Sequence, residues 1–343
     1  SNMSKIQLTL RQLHSDSPSI SSSERCHVVR QIGAMMKKEA SVYKCNDYVL
    51  SHKLENIKMS RGMKPSDPSQ DFIVDDICRQ KMCEWSYRIV DHFGGSRELV
   101  AISQNYVDRF LDRFRCDCTA YKLASITALY LAVKVHNRKP FSMTSLADLS
   151  RGEFLVEDIA EMENVLLKAL DWNMCPPTAS CFCGYFHALL PSNTKASVRQ
   201  TILQRACFFS DLSVMDYSFV VSTNQSEIAF ASILNSLAGL SSTLFGGDGK
   251  DDFIKDIEQC SGLDRKSERM KAAQDKLWSL YRRSSQYKVH DVKNASAKKR
   301  NAFTVVQNYS EYEMSDSTNE FEVVVTDSVG VSASMHNRRV SNE

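Results

Sequence analysis

The sequence predicts an all-α protein, and three observations carry that expectation. Proline is scarce, 7 in 343 residues, with none between Pro68 and Pro140, so long stretches lack the residue that breaks helices. Apolar side chains recur at spacings of three and four, the period of one helix face. Runs of alternating β-branched residues, the mark of half-buried strands, are rare. Hydrophobic residues make up 43% of the chain, which supplies a sizeable core. The length suits one large domain or two of ordinary size.

Residues 1–44 read as a flexible N-terminal arm, Ser-rich in SDSPSISSSER, with room for one short helix. A first helical segment covers Cys45 to Met59 and ends near SRGMKPSDPS. In FIVDDICRQKMCEWSYRIVDHF, the residues Cys78, Met82, Trp85, Ile89 and Phe93 form an apolar stripe, and Gly94-Gly95 stops the helix. LVAISQNYVDRFLDRF places Val100, Val107, Phe110, Leu111 and Phe114 on one side. AYKLASITALYLAVKVHN carries two stripes, Ala124-Ala128-Leu131-Val135 and Ile126-Tyr130-Val133. A helix apolar on most sides is surrounded by other helices. It ends near Asn137, with Pro140 beyond. LVEDIAEMENVLLKALDW is a further amphipathic helix, stopped before Pro176-Pro177.

After the double proline the plan recurs. ASVRQTILQRACFFSDLSVMD reads as a helix, and TNQSEIAFASILNSLAGL is a second one rich in Ala and Ser. A similar helix order in both halves predicts two related helical units. Leu263, Met270, Leu277 and Trp278 extend the helical period across 251–282, and FGGDGKDDF at 245–253 reads as a loop. From about Arg283 the chain turns basic, then acidic and Ser-rich, and residues 283–343 read as a disordered, solvated tail.

Composition narrows the function classes. A net charge of +2 is no electrostatic footprint for nucleic acid and gives no strong attraction to anionic lipid. The first thirty residues hold no signal-type apolar run, and no run approaches the roughly 20 residues that span a bilayer. The expectation is a soluble, intracellular chain with no direct nucleic-acid partner and no membrane. The 11 cysteines include Cys78, Cys83, Cys175 and Cys207 in helix-like segments, while Cys116/Cys118 and Cys181/Cys183 lack paired CxxC spacing. Reduced thiols acting as small hydrophobes are expected, with no metal. GxGxxG after a strand, the P-loop, HExxH and GxSxG are all missing, and the eight histidines are scattered. No enzyme activity and no cofactor are expected.

Four charges stand inside apolar patterns. Lys134, near the end of its helix, suits the helix dipole and can snorkel to water. Glu163 lies on a helical wheel among Ile159, Leu166, Leu167 and Leu170, where an unpaired carboxylate would cost several kcal/mol. Lys134 is one candidate partner; groups on another protein are the alternative. Arg79 and Asp108 pose the same problem one helix earlier, and a salt bridge between their helices is the simplest answer.

These residues, in this order, resemble the cyclin box, over roughly Asp47 to Trp278. RQKMCEW is similar to the family's MRxxLxxW, NYVDRFL to YIDRFL, and MENVLLKALDWNMCPPT to MExxxLxxLxWxxxxPT. KLASITALYLAVK resembles the central helix. The five signature positions Arg, Asp, Leu, Lys and Glu fall on Arg79, Asp108, Leu123, Lys134 and Glu163. DLSVMDYSFVVSTNQSEIAFAS resembles the second, C-terminal cyclin fold. The resemblance implies two tandem five-helix cyclin folds, over 45–174 and 175–282, with flexible N- and C-terminal extensions. It implies a regulatory subunit that binds and activates a cyclin-dependent serine/threonine kinase in cell-cycle control. A transcription-associated cyclin or a factor IIB-like adaptor of the same fold is the alternative. Lys134 and Glu163 would bond the kinase backbone, Arg79 and Asp108 would form the internal bridge, and Leu123 would belong to the box core. Substrates and inhibitors of that kinase are further implied partners, and the implied location is nucleus and cytoplasm.

One departure stands out. Many cell-cycle cyclins carry a patch for substrate RxL motifs, and the matching positions here are Cys78, Lys81, Met82, Trp85 and Arg88. Lys81 replaces an apolar residue, and Arg88 replaces the acid that would receive the substrate arginine, so ordinary RxL docking is expected to be weak or altered. Ser17-Pro18 and RRVS, ending at Ser341, are minimal phosphosite patterns, and AKKR suits nuclear import.

Overall fold

The computed structural model describes residues 22–60, 74–137, 142–245 and 248–284. Ser17, Ser341, AKKR and the expected disordered tail from 285 onward lie outside the described residues. Within them every regular element is helical. In chain order these are α1 (Ser22–Glu39), α2 (Tyr48–Ser60), α3 (Asp76–His92), α4 (Glu98–Leu111), α5 (Cys118–His136), α6 (Met143–Leu149) and α7 (Val156–Ala169). The second half holds α8 (Ala179–Ala188), α9 (Ala196–Val214), α10 (Tyr217–Ser222), α11 (Gln225–Leu237), α12 (Gly249–Ser261) and α13 (Glu268–Arg283), with a short 3₁₀ turn at Ser242–Phe245. The stretch expected as one loop at 245–253 therefore divides between that turn and the start of α12.

Two cores form, one per half. In the first, α5 is the central helix, touched by α3, α4, α6 and α7. Asp117 starts it by accepting the Ala120 N–H through Oδ1 at 2.7 Å. Ala124, Ala128 and Ala132 are fully buried at a four-residue period, so neighbouring backbones approach closely. Leu129, Leu131 and Val133 fill the space between, each worth about 1.5–3 kcal/mol of burial. In the second half α11 takes the same place, packed by α8, α9 and α13. Its Ala229, Ala231, Ser232 and Ser236 are fully buried, and Glu227 accepts the Asn224 N–H at 2.8 Å to close its first turn.

Within the segment expected as a flexible arm, α1 lies on α8 and α12. It buries Val28, Ile32 and Met35 in the second core. Its Glu39 carboxylate accepts both the backbone N–H (3.0 Å) and the hydroxyl (2.5 Å) of Ser226, in the first turn of α11. That position favours a negative charge because the helix N-terminus leaves N–H groups unpaired. Burial raises the Glu39 pKa, and the Ser226 bonds work against that rise.

Two stripes read from the sequence shift in the fold. The fully buried face of α3 carries Arg79, Cys83, Ser86, Tyr87, Ile89 and Val90. Cys78, Met82 and Trp85 are only half-buried, and Phe93, beyond the helix end, is exposed. The reason is polar: the buried face turns toward carboxylate and carbonyl partners that lie far away in sequence. Phe114 likewise follows the end of α4 and is exposed. Cys175, expected on a helix, sits in the extended link between α7 and α8, where Pro176 and Pro177 exclude helix.

Candidate functional site

Lys134 lies in the last turn of α5, and Glu163 in the middle of α7. The two helices pack side by side, and this brings Lys134 Nζ within 2.7 Å of Glu163 Oε1. The pair is asymmetric: the lysine side chain is 49% exposed and the glutamate 11%. Ile159 and Leu166 on the same helix, and Leu170 at its end, are fully buried, so the carboxylate stands at the edge of the core with the Lys134 ammonium as its counter-charge. The hydrogen bond from Lys134 to Glu163 raises the lysine pKa, against a smaller opposing effect of burial. The ammonium also lies 5.5 Å from the Tyr130 ring centroid. An ammonium carries three donors, and the glutamate bond uses one. The pair is thus a charged, preformed donor–acceptor rim. Val135, next in the chain to Lys134, is exposed, and Trp172, just beyond α7, is 70% exposed. Trp172 and the preceding Asp171 both adopt left-handed backbone, at φ 59° and 50°. That conformation is strained for a tryptophan.

Arg79 and Asp108 meet one layer deeper. Arg79 Nε and Nη2 donate to the two Asp108 oxygens, both at 2.8 Å, and both residues are buried. The fork geometry of a guanidinium matches a carboxylate in this way. Burial opposes the Arg79 charge, and Asp108 overcomes it, so the guanidinium pKa lies well above its ordinary value. Three partners complete the cluster. Tyr48 Oη donates to Asp108 Oδ1 at 3.0 Å, Arg79 Nη1 donates to the Val214 carbonyl at 2.6 Å, and the Tyr217 ring centroid lies 6.0 Å from the guanidinium. Val214 ends α9, so the bridge joins α3 to α4 and also holds the second half.

Leu123 is half-buried beside a small apolar cluster of Ile126, Leu146, Phe154 and Ile159. Cys78, Met82 and Trp85 sit half-buried along α3, while Lys81 and Arg88 are exposed on the same helix. All eleven cysteines are free thiols. Burial pushes the Cys83 and Cys207 thiols up to about 12, which keeps them protonated and unreactive. Among the described residues no group of three or more His, Cys, Asp or Glu is placed to hold a metal ion, and no helix is long and apolar enough to cross a membrane.

Several contributors were not singled out from the sequence. Tyr48, Tyr217 and the Val214 carbonyl carry no pattern of their own; only the fold brings them to Arg79. Arg109 follows Asp108 directly, is buried, and donates to the carbonyls of Asn173 (2.9 Å) and Leu170 (3.1 Å) at the end of α7. A cation beside the carbonyl end of a helix is favoured by the dipole, but its target lies too far along the chain to be legible.

The family model described as cyclin, N-terminal domain, matches residues 45–175, and that described as cyclin, C-terminal domain, matches residues 177–310. Cyclin-D3-3 of Arabidopsis thaliana is 29% identical over 178 residues, 50% of this chain and 48% of that protein. The mouse G1/S-specific cyclin-D1 is 25% identical over 165 residues, 48% of this chain and 51% of that protein. The chain thus spans about half the length of the curated relatives it matches. A solved viral cyclin from herpesvirus saimiri aligns with a TM-score of 0.45 at 15% identity, over 61% of this chain and 96% of that one. With two family models in tandem, over the two halves whose central helices are α5 and α11, the chain belongs to the cyclin family.

Proposed function

We propose that this chain is a regulatory subunit that binds a cyclin-dependent serine/threonine kinase and activates it in cell-cycle control, with no catalysis of its own. The observation that carries this reading is the Lys134–Glu163 pair, 2.7 Å apart, with the glutamate nearly buried and the lysine half-exposed. A purely structural ion pair gains little at such exposure. A preformed rim of donor and acceptor instead suits capture of backbone carbonyl and N–H groups on a partner helix, with Val135 and Trp172 offering apolar contact nearby in the chain. Holding the kinase αC helix inward would complete the Lys–Glu pair that phosphoryl transfer needs. The test is to purify the full chain with its kinase from synchronised cells and compare Lys134→Ala with Glu163→Ala. The double variant should lose about tenfold or more of the kinase activation, as expected when buried charge partners at an interface are removed. Full activation by the double variant would reject the assignment.

The α3 surface belongs to the same reading. Met82 and Trp85 keep an apolar floor, while Lys81 and Arg88 place positive charge where an RxL peptide would bring its arginine. Like charge repels. An RxL peptide titrated onto the full chain should bind weakly, and Lys81→Leu with Arg88→Glu should improve its Kd by about tenfold. Ordinary affinity in the unaltered chain would refute this.

A further inference from the structure

A groove of about 890 Å³ runs between the two halves, walled by the start of α2 and by α3 on one side and by α10 and the end of α13 on the other. Leu50 and Val221 line it and are both exposed, and half-buried Leu280 lines it as well. Its acids are Asp47, Asp76, Glu84 and Asp216, against Lys53 and Arg283 as its bases. An apolar floor under an acid-rich wall selects a basic, partly apolar occupant.

We propose that the groove is the docking site of this chain's own segment 285–299. Three observations select that occupant. Ser284, the last described residue, is itself part of the wall, so the segment that follows it is tethered beside the groove at high effective concentration. The segment reads SQYKVHDVKNASAKK, with Lys288, Lys293, Lys298 and Lys299 against the single acid Asp291, which complements the wall. Tyr287, Val289 and Val292 match the apolar floor. Extended, the segment reaches as far as about 50 Å, ample for the groove. A docked segment clips α2 and α3 to α10 and so braces the two halves against each other. It does not rest on the kinase reading.

Hydrogen–deuterium exchange on the full chain tests the proposal. Reversing Lys288, Lys293, Lys298 and Lys299 to Glu should speed exchange at the groove amides of α2 and α10 by about threefold or more. Adding Asp76→Lys and Glu84→Lys to that variant should restore the protection, because the charges again oppose. Unchanged exchange, or a failure of the swap to rescue, overturns the proposal. Protection that grows with protein concentration also overturns it and gives the groove to a second copy. Should the fourfold reversal loosen the whole fold, seen as faster exchange in the α11 core, Lys288→Gln with Lys293→Gln provides the same comparison in smaller steps.

Discussion

At the scale of single residues, a buried charge is secure only while every partner is present. Asp108 accepts from Arg79 twice and from Tyr48 once, and Arg79 sends its remaining reach to the Val214 carbonyl. Asp108→Ala leaves a buried guanidinium without its counter-charge, so chemical denaturation should show a loss of about 3–5 kcal/mol. Arg79→Met with Asp108→Leu removes both charges and should recover part of that loss; a double variant no better than Asp108→Ala would count against the pairing as the source of the cost. The existence of this bridge was legible, because both residues sit inside apolar patterns and each needs a partner. Its extension to Val214 was not, since a carbonyl at a helix end carries no residue signature.

At the scale of elements, α1 shows how packing overrides composition. Its sequence is polar and follows a Ser-rich run, so propensity alone gives little reason for a stable helix. Its apolar side chains Val28, Ile32 and Met35 nevertheless share one face, at the spacing of helix turns, and enter the second core. Ile32 is fully buried, and Ile32→Ala should lower unfolding stability by about 2–4 kcal/mol, measured by denaturant titration of the full chain. A change below about 0.5 kcal/mol, as at a surface position, would mean that α1 is not docked. The central helices α5 and α11 were far easier to read, because α5 repeats alanine every four residues and α11 is rich in Ala and Ser. The face of α3 was misread for the opposite reason: its buried side is the one bearing Arg79 and Ser86.

At the scale of the whole molecule, the two halves meet through charges as well as apolar contact. Arg97, just before α4, donates through Nε to Asp211 of α9 at 3.0 Å and through Nη1 to Asp91 at 2.7 Å. Its guanidinium stacks 4.3 Å from the Tyr87 ring centroid, and Tyr87 Oη donates to the Asp211 carbonyl. Burial pushes the Asp211 carboxyl up to about 7, and Arg97 only partly offsets it. A carboxyl with a raised folded pKa adds stability while it stays protonated, below its unfolded value near 3.8, and loses that contribution as pH rises through about 7. Wild-type stability should therefore fall relative to Asp211→Asn between pH 4 and 7, by on the order of 3 kcal/mol. Profiles that instead run parallel would overturn this, because they would mean that Arg97 keeps Asp211 ionised throughout.

The sequence by itself determined the long helices at the centre of each half, the order in which they recur, and the residues that must find partners: period, proline placement and charges inside apolar arcs are local properties. Tertiary structure decided which partners those are. Lys134 and Glu163 lie on consecutive long helices, yet their 2.7 Å contact exists only because α5 and α7 pack side by side. Arg79 meets the carbonyl of Val214, 135 residues further along the chain, and α1 becomes a helix worth forming only where the second core receives its apolar face. Hydrogen bonds and burial depend on distance in space, and no pattern along the chain encodes distance between elements so far apart.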